Sequence, residues 1–150
     1  MIKKLKFIIN ITISSGFFIG FIKIIPATFG TFLAIPIIYL INDFNMFYKI
    51  IFVILLFIVG VLTSDYIEKY TNKKDPSFIV IDEIVGFIIS FLNIQLNFIN
   101  IFLGFIIFRI LDIIKPFYIH KIQNIKGGLG IMLDDVAAGI LTNIILLIIS

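Results

Sequence analysis

The chain has 150 residues, of which 61% are hydrophobic and 14% charged, with a net charge of +3 and a mean hydropathy of +1.19. So small a globule cannot hide that much apolar surface, which excludes an ordinary soluble domain and points to the membrane. The basic excess, resting on few charges, speaks against nucleic-acid binding and suits an anionic leaflet, while the absence of cysteine excludes disulfides, thiolate zinc sites and cysteine nucleophiles.

Lys3, Lys4 and Lys6 precede an apolar stretch over residues 7–25 that is broken by Ser14, Ser15, Gly16 and Gly20. No small-residue cleavage site follows, so this stretch reads as part of the mature protein, lying in the interface or re-entering. A second apolar segment covers 28–41 and contains Pro36; residues 42–45 signal a turn. The cleanest hydrophobic run is 50–62. It continues through 63–70, where Asp65, Glu68 and Lys69 mark a helix leaving the membrane. After a polar break at 71–76, Ser77 is a potential cap for a helix over 78–92. A turn at 93–100 leads to a helix over 101–114, ended by Pro116 because proline disfavours helix in the residue before it. A basic, glycine-containing loop over 119–130 precedes the last helix, 131–149.

The expected fold is a single all-α domain over 1–150, a compact membrane bundle of short, partly tilted or re-entrant helices. Each apolar run is shorter than the ~20 residues a crossing needs. If 28–62 and 78–114 form two hairpins, one side collects Lys3, Lys4, Lys6, Lys69, Lys73, Lys74, Lys115, Lys121 and Lys126, and the positive-inside rule makes that side cytoplasmic.

Three polar clusters interrupt the apolar pattern. Asp82 and Glu83 are adjacent acids in an otherwise apolar helix, where each charge costs ~2.5–3.5 kcal/mol at membrane depth. Acids at a helix N-terminus also satisfy its dipole, but one would suffice. Gly86 lies four residues on, on the same face, and leaves room for a ligand or a neighbouring helix. Arg109, Asp112 and Lys115 are spaced by three and share a helical face, as an internal ion-pair ladder or as a phosphate clamp with one metal ligand. Arg109 is the only arginine in the chain. Gly127 and Gly128 precede Asp134 and Asp135, and Gly139 follows Asp135 by four residues, repeating the Asp82–Gly86 spacing. Glycines before a helix let backbone N–H groups approach a phosphate. Acidic clusters brought to one face make an oxygen-rich site for a hard cation such as Mg²⁺, with basic side chains for phosphate: phosphoryl chemistry on a lipid headgroup.

Pro26-Ala27-Thr28-Phe29-Gly30-Thr31, the Asp75–Gly86 stretch, Phe108–Pro116 and Gly127–Gly139 resemble, in this order, the phosphatidylglycerophosphatase A family, over almost the whole chain. The resemblance implies Mg²⁺-dependent hydrolysis of phosphatidylglycerophosphate to phosphatidylglycerol and phosphate by a helical protein of the bacterial inner membrane. It makes Asp82, Glu83, Asp112, Asp134 and Asp135 candidate metal ligands or water activators. Arg109 and Lys115, with Thr28, Gly127 and Gly128, become candidate substrate-binding residues. Ala27 departs from the family, which has glycine there. His120, the sole histidine, reads as a loop residue and leaves no two-histidine phosphatase mechanism. The rival classes are a CDP-alcohol phosphotransferase, whose Asp-Gly signature is missing, and a small cation transporter, which would carry its acids at the midplane instead of at helix ends.

Overall fold

The computed structural model describes residues 2–115 and 125–149. The expectations for Pro116, His120 and Lys121 lie outside the described residues. Within them the chain is all-helical, with six α-helices and one 3₁₀ turn: α1 (Ile2–Ser14), the 3₁₀ turn (Ile19–Phe21), α2 (Pro26–Ile41), α3 (Met46–Thr71), α4 (Ile81–Ser90), α5 (Phe98–Ile114) and α6 (Gly128–Ile149).

The local sequence accounts for most of the boundaries. Pro26 opens α2 at a position whose N–H needs no partner. The side chains of Asn45 and Asn97 accept from the backbone N–H groups of Tyr48 and Asn100 at 3.1 and 2.8 Å, capping α3 and α5. Asn72 and Lys115 end α3 and α5 in the left-handed region. The helix expected over 78–92 is shorter, running only from Ile81 to Ser90. Ser77 does not cap it. Residues 76–79 form a turn closed by Ile79 N–H on the Pro76 carbonyl, and Val80 N–H donates to the Ser14 carbonyl at 2.9 Å, so the helix starts only after it.

Two helices, α3 and α6, are long and apolar enough to cross a membrane, and α2 is a shorter apolar helix. The segment 7–25 does not form one span: α1 ends at Ser14 and Gly16 turns the chain with a φ of 56°. α4 is the short first arm of the 78–114 hairpin. Its 10 residues rise about 15 Å, half of a bilayer's hydrocarbon thickness. Every one of them is buried, against α6 and α2 and, less extensively, α3 and α5.

Glycines set how closely α4 meets α6. A Cβ on Gly86 would stand 2.5 Å from the Asp135 carbonyl oxygen, and one on Gly139 would run into the Gly86 carbonyl. Asn143 ties the far end: its Nδ2 donates to the carbonyls of Ser90 and Leu92 at 3.0 and 2.8 Å, satisfying the C-terminal end of α4.

Candidate carboxylate and phosphate site

The α4–α6 contact brings together acids that are 52 or more positions apart in sequence. Asp82 and Glu83 lie in the first turn of α4, and Asp135 in α6 packs beside them. One carboxylate oxygen from each of the three lies within 4.8 Å of the others. All three residues are buried, and Asp82 Oδ1, Glu83 Oε2 and Asp135 Oδ2 have no hydrogen-bond partner. Unpaired buried carboxylate oxygens are costly, and a cation is the economical way to satisfy three of them at once. The donor set is all oxygen, the set a Mg²⁺-like ion takes.

Asp112 and Asp134 sit differently. Arg109 donates to Asp112 at 2.6 Å, and Lys115 donates to Asp134 while standing 4.0 Å from Asp112. The five acids therefore divide into an unpaired trio and a pair held by the two basic residues of the same cluster. Lys115 reaches this bridge from a left-handed backbone, at φ 47°. Such a conformation costs a non-glycine residue roughly 1–2 kcal/mol, which the ion pairs offset.

Trio and pair line one cavity of about 240 Å³, together with Pro26, Ala27, Asp75, Ser77, Ile79 and Lys115. A neighbouring cavity of about 270 Å³ shares Asp75 and Asp134 with it and adds Glu68, Lys74, Gly127 and Gly130. Lys69, Lys73 and Lys126 surround a third hollow, which shares Glu68 and Lys74 with the second. The polar end of the molecule is thus an acidic pocket with a lysine rim.

The remaining predicted residues fall at its margins. Thr28 is half-buried in the first turn of α2, next to the lining residue Ala27. Gly127 lines the second cavity. Gly128 backs onto α3, where a Cβ would overlap the Val61 carbonyl, so its small size serves helix packing. Two polar lining residues had no assigned part in the site, Asp75 and Ser77, the latter expected only as a helix cap. Their signal was proximity in sequence to Asp82, which did not reveal that the 76–79 turn folds back over the pocket.

Burial dominates the electrostatics. It pushes the Asp82 carboxyl well above its ordinary value, reinforced by the Glu83 charge. Burial, then the Asp135 charge, lifts Glu83 to about 8. Asp75 is raised by partial desolvation and by Asp134. Desolvation would lower the Lys115 ammonium, but its hydrogen bond to Asp134 and the acids around it outweigh that and raise it.

The family model for phosphatidylglycerophosphatase A matches residues 12–150. A protein of Escherichia coli K12 named phosphatidylglycerophosphatase A is 36% identical over 129 residues, covering 85% of this chain and 75% of its own length. A Haemophilus influenzae protein of the same name is 33% identical over 128 residues, covering 83% and 78%. A Bacteroides thetaiotaomicron protein named as a candidate phosphatidylinositol-3-phosphatase is 34% identical over 144 residues, covering 91% and 90%. No solved structure matches the chain.

Proposed function

Because the chain belongs to the phosphatidylglycerophosphatase A family and is a phosphatase, we propose that it removes the terminal phosphate of phosphatidylglycerophosphate in a Mg²⁺-dependent hydrolysis at the α4–α6 pocket. One observation carries the metal requirement. Among the described residues the pocket is lined by six carboxyl groups, Asp75, Asp82, Glu83, Asp112, Asp134 and Asp135, and by one ammonium, that of Lys115. Once ionised, such a wall would repel a phosphate dianion unless cations neutralised part of it.

Asp82, Glu83 and Asp135 are the residues assigned to hold the cation, since their free oxygens already converge. A bound Mg²⁺ supplies Lewis acidity and lowers the pKa of water. The chain's own residues do the rest. Lys115, which lines the cavity, binds and orients the phosphate oxygens, exchanging part of its contact with Asp134 for the substrate, and Arg109, bonded to Asp112 behind the lining, adds its charge to that side. Asp75, outside the trio and lining the same cavity, is assigned to accept the proton of the attacking water. The lysine rim of Lys69, Lys73, Lys74 and Lys126 attracts the anionic headgroup. It also argues for a pocket that faces the cytoplasm.

A second substrate has one observation in its favour, the name of the Bacteroides thetaiotaomicron relative. An inositol lipid carrying a phosphomonoester offers the same terminal group on a different alcohol. The experiment is phosphate release by purified protein in detergent from each lipid, with Mg²⁺ and with chelator. Release from phosphatidylglycerophosphate, lost with chelator, is the expected result. Release unaffected by chelator would overturn the metal requirement, and preference for the inositol lipid would overturn the substrate.

A further inference from the structure

Three polar hollows at this end of the molecule are joined by shared walls. Asp75 and Asp134 line both the carboxylate pocket and the cavity of about 270 Å³ beside it. Glu68 and Lys74 line both that cavity and a third hollow of about 340 Å³. The consecutive residues Lys74 and Asp75, their Cα atoms about 3.8 Å apart, therefore border all three. We propose that the third hollow binds the phosphodiester of the lipid headgroup while the phosphomonoester lies in the carboxylate pocket, so that the chain selects headgroups carrying both groups.

Along this series the lining changes sign. Among the described residues the carboxylate pocket carries six carboxyl groups and one ammonium, and the middle cavity carries Glu68, Asp75 and Asp134 with Lys74. The outer hollow reverses the balance, with Lys69, Lys73, Lys74 and Lys126 against Glu68. Lys69 is held by Asp65 at 2.6 Å, whereas Lys73, Lys74 and Lys126 form no ion pair among the described residues. A phosphomonoester bears up to two charges and is the group to be cleaved, which suits the end where a cation fits. A phosphodiester keeps one negative charge throughout and is not cleaved, so ammonium groups alone suffice for it.

The middle cavity suits what lies between the two phosphates. Its volume leaves room for a glycerol-sized bridge. Its carboxyl oxygens accept hydrogen bonds from a hydroxyl, and Gly127 and Gly130 leave one wall without side chains. At the junction Asp75 holds a left-handed backbone, with φ 47°, a conformation that a non-glycine residue keeps only where its surroundings impose it. General attraction of anionic lipid would need only positive charge somewhere on this face. Lys74 instead stands beside Asp75, at a fixed remove from the group that receives the monoester.

The inference rests on the proposed hydrolysis, and the test separates the two. Two soluble substrates are compared in detergent with Mg²⁺: glycerophosphoglycerophosphate, which has diester and monoester, and glycerol phosphate, which has the monoester alone. The parent should favour the first in kcat/KM by at least tenfold. Lys74→Gln/Lys126→Gln should lose most of that preference, and Lys74→Arg/Lys126→Arg should retain it. An unchanged preference in the glutamine variant would overturn the subsite. So would a loss of activity in that variant seen only on anionic vesicles, which would show that the lysines serve a membrane surface of neighbouring lipids. Glycerophosphoglycerol, which has the diester and no monoester, tests the subsite without turnover. Broadening of its ³¹P resonance by the parent and not by the glutamine variant would support the subsite even if no monoester is hydrolysed. No broadening by the parent, or equal broadening by both proteins, would overturn it even if phosphate release is intact.

Discussion

Gly86 of α4 and Gly139 of α6 are opposed so closely that a Cβ on Gly139 would overlap the Gly86 carbonyl. Each glycine lies four residues beyond an acid of the trio, Asp82 and Asp135, so the contact that joins the helices also sets the distance between the carboxylates one turn away. Gly139→Ala should wedge the helices apart, cost about 1–3 kcal/mol from overpacking, and lower phosphate release at least tenfold. Thermal unfolding in detergent and a turnover assay check this, and an unaffected Gly139→Ala would mean the helices can slide without disturbing the site.

Removing the charge of a trio member should separate function from stability. Asp82→Asn, Glu83→Gln and Asp135→Asn each take away a buried, unpaired carboxylate. In chelator, above the pH of about 8 through which Glu83 ionises, these variants should melt at or above the parent temperature, because a costly buried charge has gone. They should also lose phosphate release and the rise in Tm that Mg²⁺ gives the parent. Parental activity in all three would dismiss the trio as the cation site.

The pH dependence follows from the same burial. Glu83 titrates at about 8 in the fold against an ordinary 4.5, and Asp82 is shifted in the same direction. The folded state therefore keeps protons that the unfolded chain has released. Without cation, this contribution to stability is complete below pH 4.5 and is lost as pH rises through about 8. Mg²⁺ must displace those protons, so its affinity should climb across the same window. Melting curves in chelator, and calorimetric titration of Mg²⁺ in buffers of differing ionisation enthalpy, measure the two halves of the expectation. Cation binding with no proton release would contradict it.

Lys115→Met should leave Asp134 buried without its partner. Because the pair is partly exposed, the cost should stay near ~2 kcal/mol, short of the 3–5 kcal/mol of a fully buried pair. Lys115→Met/Asp134→Asn should recover much of that stability and none of the phosphate affinity. A double variant with restored KM would show that Lys115 serves the fold alone.

Much of this was legible in the sequence. Asp82, Glu83, Asp134 and Asp135 stood out because charge inside an apolar helix is expensive, and they do face one pocket. The three-residue spacing of Arg109, Asp112 and Lys115 suggested a shared face, and ion pairs join them. The division of the acids could not be read, because it depends on Lys115 reaching across to Asp134 in another helix. Asn143 was also invisible as a cap, since its carbonyl partners lie more than 50 residues away. The hairpin over 78–114 is present, with α4 leaving the polar pocket and α5 returning to it, but the full burial of its first arm was not legible for a general reason. Hydropathy does not distinguish a segment wrapped in protein from one bathed in lipid, and α4 is wrapped.

That wrapping has a further consequence. Bilayers differ in thickness, and outer helices answer by tilting or by gathering lipid around their ends. All ten residues of α4 are buried, including both acids of its first turn, so such strains reach Asp82 and Glu83 only after passing through a surrounding helix. Two acids of the trio thus ride on an inner strut, and the third, Asp135, belongs to a helix of the outer wall.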